Sequence, residues 1–229
     1  MAHDRSTSAK IIAEFIGTFT LIYVGILVLS NGGGAGLTGA ALAHGLAIAV
    51  MVSATMMISG GHLNPAVTFG AWVGGKIRGG EAMSYVLAQL AGGAAGGLLA
   101  KLSLGGVNGG AGVPALGHYA DGTAVPVEAG ILIEAVLTFF LVFVVYGTGI
   151  DARFGGRIGG LAIGLTVALD ILAGGPLTGA AMNPARWFGA ALPAQQWRQA
   201  SVYLVGPLLG GALAGLVYSR FLSAKPSQA

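Results

Sequence analysis

The tripeptide Asn-Pro-Ala occurs twice in this chain of 229 residues. Asn64-Pro65-Ala66 lies within GGHLNPAVTFG and Asn183-Pro184-Ala185 within GAAMNPARWFG, and each copy interrupts an apolar region. Asn is a good helix N-cap and Pro suits the first helical position, so each copy predicts a short helix that starts inside an apolar layer. The free N–H groups of a helix start cannot be satisfied by hydrocarbon. Two such starts at membrane depth must therefore face each other, buried protein, or a water-filled path.

The membrane setting follows from composition. The chain is 55% hydrophobic and only 8% charged, against roughly 25% charged in soluble domains. About 20 apolar residues cross a ~30 Å hydrocarbon core, and six stretches qualify, at about 9–30, 37–58, 82–104, 128–149, 158–174 and 200–222. The fold class expected is an all-α membrane protein. Many of the 42 glycines sit at small-xxx-small spacing, as in GGAAGG at 92–97, which lets helices approach closely in a bilayer. SNGGGAG (30–36) and GGVNGGAG (105–112) read as loops. There is no cysteine, which excludes disulfides and thiol chemistry. The first ten residues lead directly into a full-length span without a cleavage pattern, so they read as retained.

An internal repeat organises the chain. The run around Glu14 matches the run around Glu134, Leu42-Ala43-His44-Gly45-Leu46 matches Leu161-Ala162-Ile163-Gly164-Leu165, and the Asn-Pro-Ala sites follow at nearly the same offset. Each half is then span, span, half-helix, span, and the odd number of crossings inverts the second copy. The expected organisation is one transmembrane channel domain over 1–229, with repeats at about 8–104 and 128–222. Basic residues support it: with a cytoplasmic N-terminus, Arg5, Lys10, Lys76, Arg78, Arg153, Arg157, Arg220 and Lys225 fall on the cytoplasmic side, opposed by Lys101 and Arg198, as the positive-inside rule expects. The half-helices, about 66–74 and 184–192, are each ~15 Å long. They enter from opposite sides, and their asparagines should meet near the midplane.

Two converging helix N-termini make that point repel cations. The Asn64 and Asn183 amides are expected both to cap and to donate hydrogen bonds to a passing neutral molecule, which hinders proton relay. Arg186 is costly in a bilayer unless it faces water, where its guanidinium repels cations. Glu14 and Glu134 are expected to bind the free N–H groups of the re-entrant loops, and His62 to orient the first loop and touch the cytoplasmic half of the pore. Asp170 is either a packing contact or an aid to protonatable substrates. No catalytic constellation, phosphate-binding loop, cofactor or metal site is evident, so no enzyme is expected.

These residues are similar to those of the aquaporins, the major intrinsic protein family. The resemblance covers the whole chain, including the Thr-Phe pairs following Glu14 and Glu134, GGHLNPAV, and MNPAR at 182–186. It implies a right-handed bundle of six transmembrane helices with two re-entrant half-helices in an inverted repeat, one pore per subunit, and a homotetramer. Carried over by spacing, the selectivity filter is His44, Ile171, Ala180 and Arg186, and His118 is a candidate for reaching that arginine from outside. This filter resembles that of plant tonoplast intrinsic proteins, with His44 on the second span and Ile171 on the fifth where water-only members have Phe and His.

The resemblance therefore implies a passive channel for water, with a widened filter that also passes ammonia, urea or hydrogen peroxide and excludes protons and ions. A glycerol facilitator is the alternative. That class typically has Asp after the motif arginine, where this chain has Trp187, a residue also unusual in water channels. A secondary transporter, also built from inverted repeats, is a remote alternative. The partners expected are the bilayer, water and small solutes, with no nucleic acid. Compact loops and short termini favour a prokaryotic inner membrane with both termini cytoplasmic, and the plant-like filter leaves a vacuolar membrane open.

Overall fold

The computed structural model describes residues 5–30, 36–106, 112–151 and 158–223. Arg153, Arg157 and Lys225, used in the charge argument above, lie outside the described residues. Eight α-helices follow in order: α1 (Thr7–Ser30), α2 (Gly36–Ser59), α3 (Pro65–Val73), α4 (Gly79–Ser103), α5 (Val127–Val145), α6 (Gly159–Thr178), α7 (Pro184–Ala194) and α8 (Ala200–Val217). A π-helical turn extends α5 through Tyr146–Ile150 and another extends α8 through Tyr218–Leu222. With those turns, six helices of 20–25 residues are long and apolar enough to span a membrane. The two short ones, of 9 and 11 residues, begin at the expected prolines.

Packing is set by small residues. Glycines four apart on α4 divide between two neighbours: Gly92 and Gly96 lie against the Phe15 and Phe19 carbonyls of α1, Gly93 and Gly97 against the Ala185 and Gly189 carbonyls of α7. On α8, Gly206 and Gly210 meet the backbone of α5, while Gly211 and Gly215 meet the Ala66 and Gly70 carbonyls of α3. Each half-helix thus packs on the last span of the other half of the chain. Between α2 and α6, Gly45 and Gly164 touch each other's carbonyls, so the two helices cross almost backbone to backbone. In lipid, such close approach supplies the dispersion contact that holds helices together without a hydrophobic driving force.

The apolar residues sort by neighbour. Leu21, Ile22 and Ile26 of α1 are buried in the bundle, whereas Ile12, Ile16 and Leu29 of the same helix are exposed, as are Leu161, Leu165 and Leu169 on α6. Exposed rows of this kind are what hydrocarbon wets.

Candidate functional site

At the centre of the bundle the two Asn-Pro-Ala turns face each other. Asn64 has extended backbone, and its side-chain oxygen accepts from Ala66 N at 2.8 Å; that of Asn183 accepts from Ala185 N at 2.9 Å and Arg186 N at 3.2 Å. Both asparagines therefore cap. Each amide nitrogen also crosses to the opposite turn: Asn64 Nδ2 donates to Met182 O at 2.9 Å, and Asn183 Nδ2 donates to Leu63 O at 3.0 Å. An amide NH2 has two hydrogens, so one from each asparagine remains for the lumen.

The residues before the asparagines, Leu63 (φ 52°) and Met182 (φ 51°), sit in the left-handed region, a strain of about 1–3 kcal/mol each that only surrounding contacts sustain. Two buried carboxylates supply those contacts. Glu14 accepts from Ser59 Oγ at 2.5 Å, His62 N at 3.0 Å, Leu63 N at 2.6 Å and Gln89 Nε2 at 2.7 Å. Glu134 accepts from Thr178 Oγ1 at 2.7 Å, Ala181 N at 2.9 Å and Met182 N at 2.7 Å. Tyr85 and Tyr203 then donate to the Ser59 and Thr178 carbonyls, both at 2.9 Å. The same construction appears once in each half of the chain.

The halves differ around His62. Gln89 Nε2 gives one hydrogen to Glu14 and the other to Thr68 Oγ1 at 2.9 Å. Thr68 Oγ1 lies 3.1 Å from His62 Nδ1. The hydroxyl has one hydrogen and two lone pairs, so it pairs with that nitrogen in either His62 tautomer. The ring stands edge-on to Tyr85 at 5.3 Å. Nothing in the sequence singled out Gln89 or Thr68. Ser59/Thr178 and Tyr85/Tyr203 were not singled out either, although their recurrence at nearly the offset of the motifs is a signal that could have found them.

Two cavities with shared walls lie between one face of the bundle and the two asparagines. One, about 470 Å³, opens between α2, α6 and the segment 112–115; the next, about 20 Å³, lies against Asn64 and Asn183 and has room for roughly one water. His44, Ile171 and Arg186 line both cavities, so they stand at the boundary, and Ala180 lines only the narrow side. His44 Nδ1 donates to Ala40 O at 2.8 Å. A carbonyl cannot donate, so Nε2 keeps its lone pair. Arg186, 7% exposed, donates from one guanidinium nitrogen to Gly112 O at 3.2 Å.

The structure brings together all the expected site residues except one. His118 is exposed and pairs with Ala124 in an isolated antiparallel bridge. That turn is tightened by Asp121, which accepts from Thr123 N at 2.9 Å and Thr123 Oγ1 at 2.6 Å. These bonds hold the Asp121 carboxyl below the usual range. His118 does not line the vestibule; the chain approaches Arg186 at Gly112 instead. Asp170 is fully buried, and neither carboxylate oxygen has a hydrogen-bond partner. It lines neither cavity.

Six spans, two half-helices meeting head to head and a one-water constriction at the foot of an open vestibule define a membrane channel with a built-in narrow pore. The major intrinsic protein family model matches residues 1–218, and the chain belongs to that family, an integral, multi-pass class of membrane protein. It is 46% identical over 235 residues to Aquaporin TIP4-4 of Zea mays, covering 98% of this chain and 90% of that one. It is also 46% identical over 237 residues to the Probable aquaporin TIP3-2 of Arabidopsis thaliana, covering 96% and 85%. Among solved structures, the aquaglyceroporin from Plasmodium falciparum superposes with a TM-score of 0.78 at 24% identity over 94% of this chain and 97% of that one, a likeness of fold.

Proposed function

We propose that the chain is a passive channel for water whose filter also admits small neutral solutes such as ammonia, urea or hydrogen peroxide, while excluding protons and ions. The observation that carries this reading is the placement of His44, Ile171 and Arg186 on both sides of one boundary, with Ala180 just inside it. Two of the four walls are then apolar or small. A solute is offered Nε2 of His44 as acceptor and the Arg186 guanidinium as donor, and Ile171 and Ala180 leave room beside them. Further in, the spare amide hydrogens of Asn64 and Asn183 orient a water oxygen toward the midplane. The positive ends of α3 and α7 and the charge of Arg186 oppose cations.

The whole chain is read as one channel domain with repeats at about 8–104 and 128–222, assembled as a homotetramer. The expectation of a cell membrane with cytoplasmic termini rests on the short connections alone. Similarity to the plant TIP proteins supports a vacuolar membrane instead, and fractionation of the source cells distinguishes them.

Stopped-flow light scattering on proteoliposomes tests the function. Water flux with urea re-swelling and rapid internal alkalinisation after an ammonium pulse is the expected result. Water flux alone means a narrower filter than proposed, and rapid glycerol re-swelling favours a glycerol facilitator. Flux no greater than in empty vesicles overturns the channel.

A further inference from the structure

An apolar groove of about 410 Å³ runs down the outside of the bundle between α3, α4 and α8, away from the water path. Phe69, Trp72, Met83 and Leu208 are among its walls, and its floor reaches Pro65 and Pro184, the residues that start the two half-helices. Thr68 contributes the wall's one hydroxyl, already engaged by Gln89 and His62. In the second half of the chain, Trp187 stands where Thr68 does in the first. It is 4% exposed and packs on Trp197 and Tyr203 at ring distances of 5.9 and 6.1 Å. The chain fills that half with its own aromatics and leaves this half open.

The length of the groove selects its occupant. Along α4 it runs from Gly79 to Leu90, about 16 Å at 1.5 Å per residue, half of the ~30 Å hydrocarbon thickness. That is the depth of one leaflet. A helix of a second copy is roughly 10–12 Å wide and crosses both leaflets, whereas a lipid chain is slender and ends at the midplane. Water finds almost nothing to bond there, and a void forfeits dispersion contact.

The charge at the mouth identifies the headgroup. Lys10 Nζ donates to Glu81 at 2.8 Å, which places the start of α4 on the side of the N-terminus and neutralises the nearest carboxylate. Lys76 and Arg78, both exposed, immediately precede Gly79 at the end of the groove. Trp72, 48% exposed, stands beside them, a residue type enriched at membrane interfaces.

We propose that this groove is a binding site for one acyl chain of an anionic phospholipid from the leaflet on the side of the chain termini, with its phosphate against Lys76 and Arg78. The bound chain supports Pro65 and Pro184 from behind. The site is independent of what the pore conducts, so its test does not depend on flux.

The test is native mass spectrometry of the delipidated full-length protein titrated with phosphatidylglycerol or phosphatidylcholine of identical chains. Wild type is expected to keep one phosphatidylglycerol per subunit with about tenfold preference over phosphatidylcholine. The groove-filling double variant Leu204→Trp/Leu208→Trp should lose that lipid, while Leu98→Trp, on the exposed face of α4 outside the groove, should keep it. The Lys76→Gln/Arg78→Gln variant leaves the groove open and should bind both lipids equally. Equal retention of the two lipids by wild type, or undiminished phosphatidylglycerol binding by the filled variant, overturns the proposal. Should the filled variant fail to fold, an unchanged lipid preference in the charge variant overturns it alone.

Discussion

Replacing Glu134 separates two roles a buried carboxylate can have, because its three partners are unequal in what they lose. In Glu134→Gln, the remaining side-chain oxygen still accepts from Thr178 Oγ1 and Ala181 N, but the amide now turns hydrogens toward Met182 N–H. One buried N–H is orphaned, at about 1–3 kcal/mol, and the other two bonds lose their charge assistance; together about 2–4 kcal/mol. For a chain of this size that is roughly 4–16 °C in thermal midpoint. In Glu134→Ala, Ala181 N, Met182 N and the Thr178 hydroxyl are all orphaned, for about 3–9 kcal/mol, comparable with the 5–15 kcal/mol that holds a typical fold. Thermal unfolding of the purified protein in detergent, followed by osmotic shrinkage of proteoliposomes, reads both effects. The expected order is wild type, then Gln with a lowered midpoint and reduced water flux, then Ala with little folded protein. An Ala variant as stable and as permeable as wild type would refute the argument that this carboxylate holds the second re-entrant turn in its strained conformation.

Other consequences are tested more briefly. Gly189→Ala pushes a Cβ to 2.5 Å from Gly93 O, an atom that cannot rotate away, and should cost about 1–3 kcal/mol by melting; Gly80→Ala, with nothing within 4 Å, should be neutral or stabilising. Asp170→Leu removes a fully buried carboxylate without partners and should stabilise the fold by about 1–3 kcal/mol, read as a raised thermal midpoint; a lowered midpoint means that the carboxylate has a role its burial does not disclose. Ile171→His adds a polar ring at the boundary between the cavities, and urea flux relative to water should fall about tenfold. With no cysteine in the chain, mercuric chloride should leave water flux unchanged, and strong inhibition reversed by thiol would contradict that.

The spans were legible because they rest on two strong signals, apolar length and inverted repetition. Observed helices begin and end within a few residues of expectation; the second to last, expected at 158–174, continues to Thr178 through Pro176, which the apolar count did not credit. The half-helices were legible from Asn64-Pro65 and Asn183-Pro184 because capping chemistry is local. What escaped the sequence depends on where loops return. Gly112 as the partner of Arg186 is a meeting of residues 74 apart, and the candidate that the family resemblance offered for that place, His118, is held at the surface by its own turn. The path from Glu14 through Gln89 and Thr68 to His62 has no counterpart in the second half, so repetition could not announce it. The crossed bonds of Asn64 and Asn183 were hidden for a different reason, since capping accounts for the oxygen of each amide but is silent about the nitrogen.

Those crossed bonds also set an order of events. Asn64 needs the carbonyl of Met182, 118 residues later, and Leu63 O waits for Asn183 in turn. At a synthesis rate of about 5–20 residues per second, the first turn precedes its partner by roughly 6 to 24 s. For that interval half a pore already sits in the membrane with its central donor and acceptor unengaged. A chain cut between the repeats would remain there indefinitely, so the midplane is the part of this molecule that neither half can complete alone.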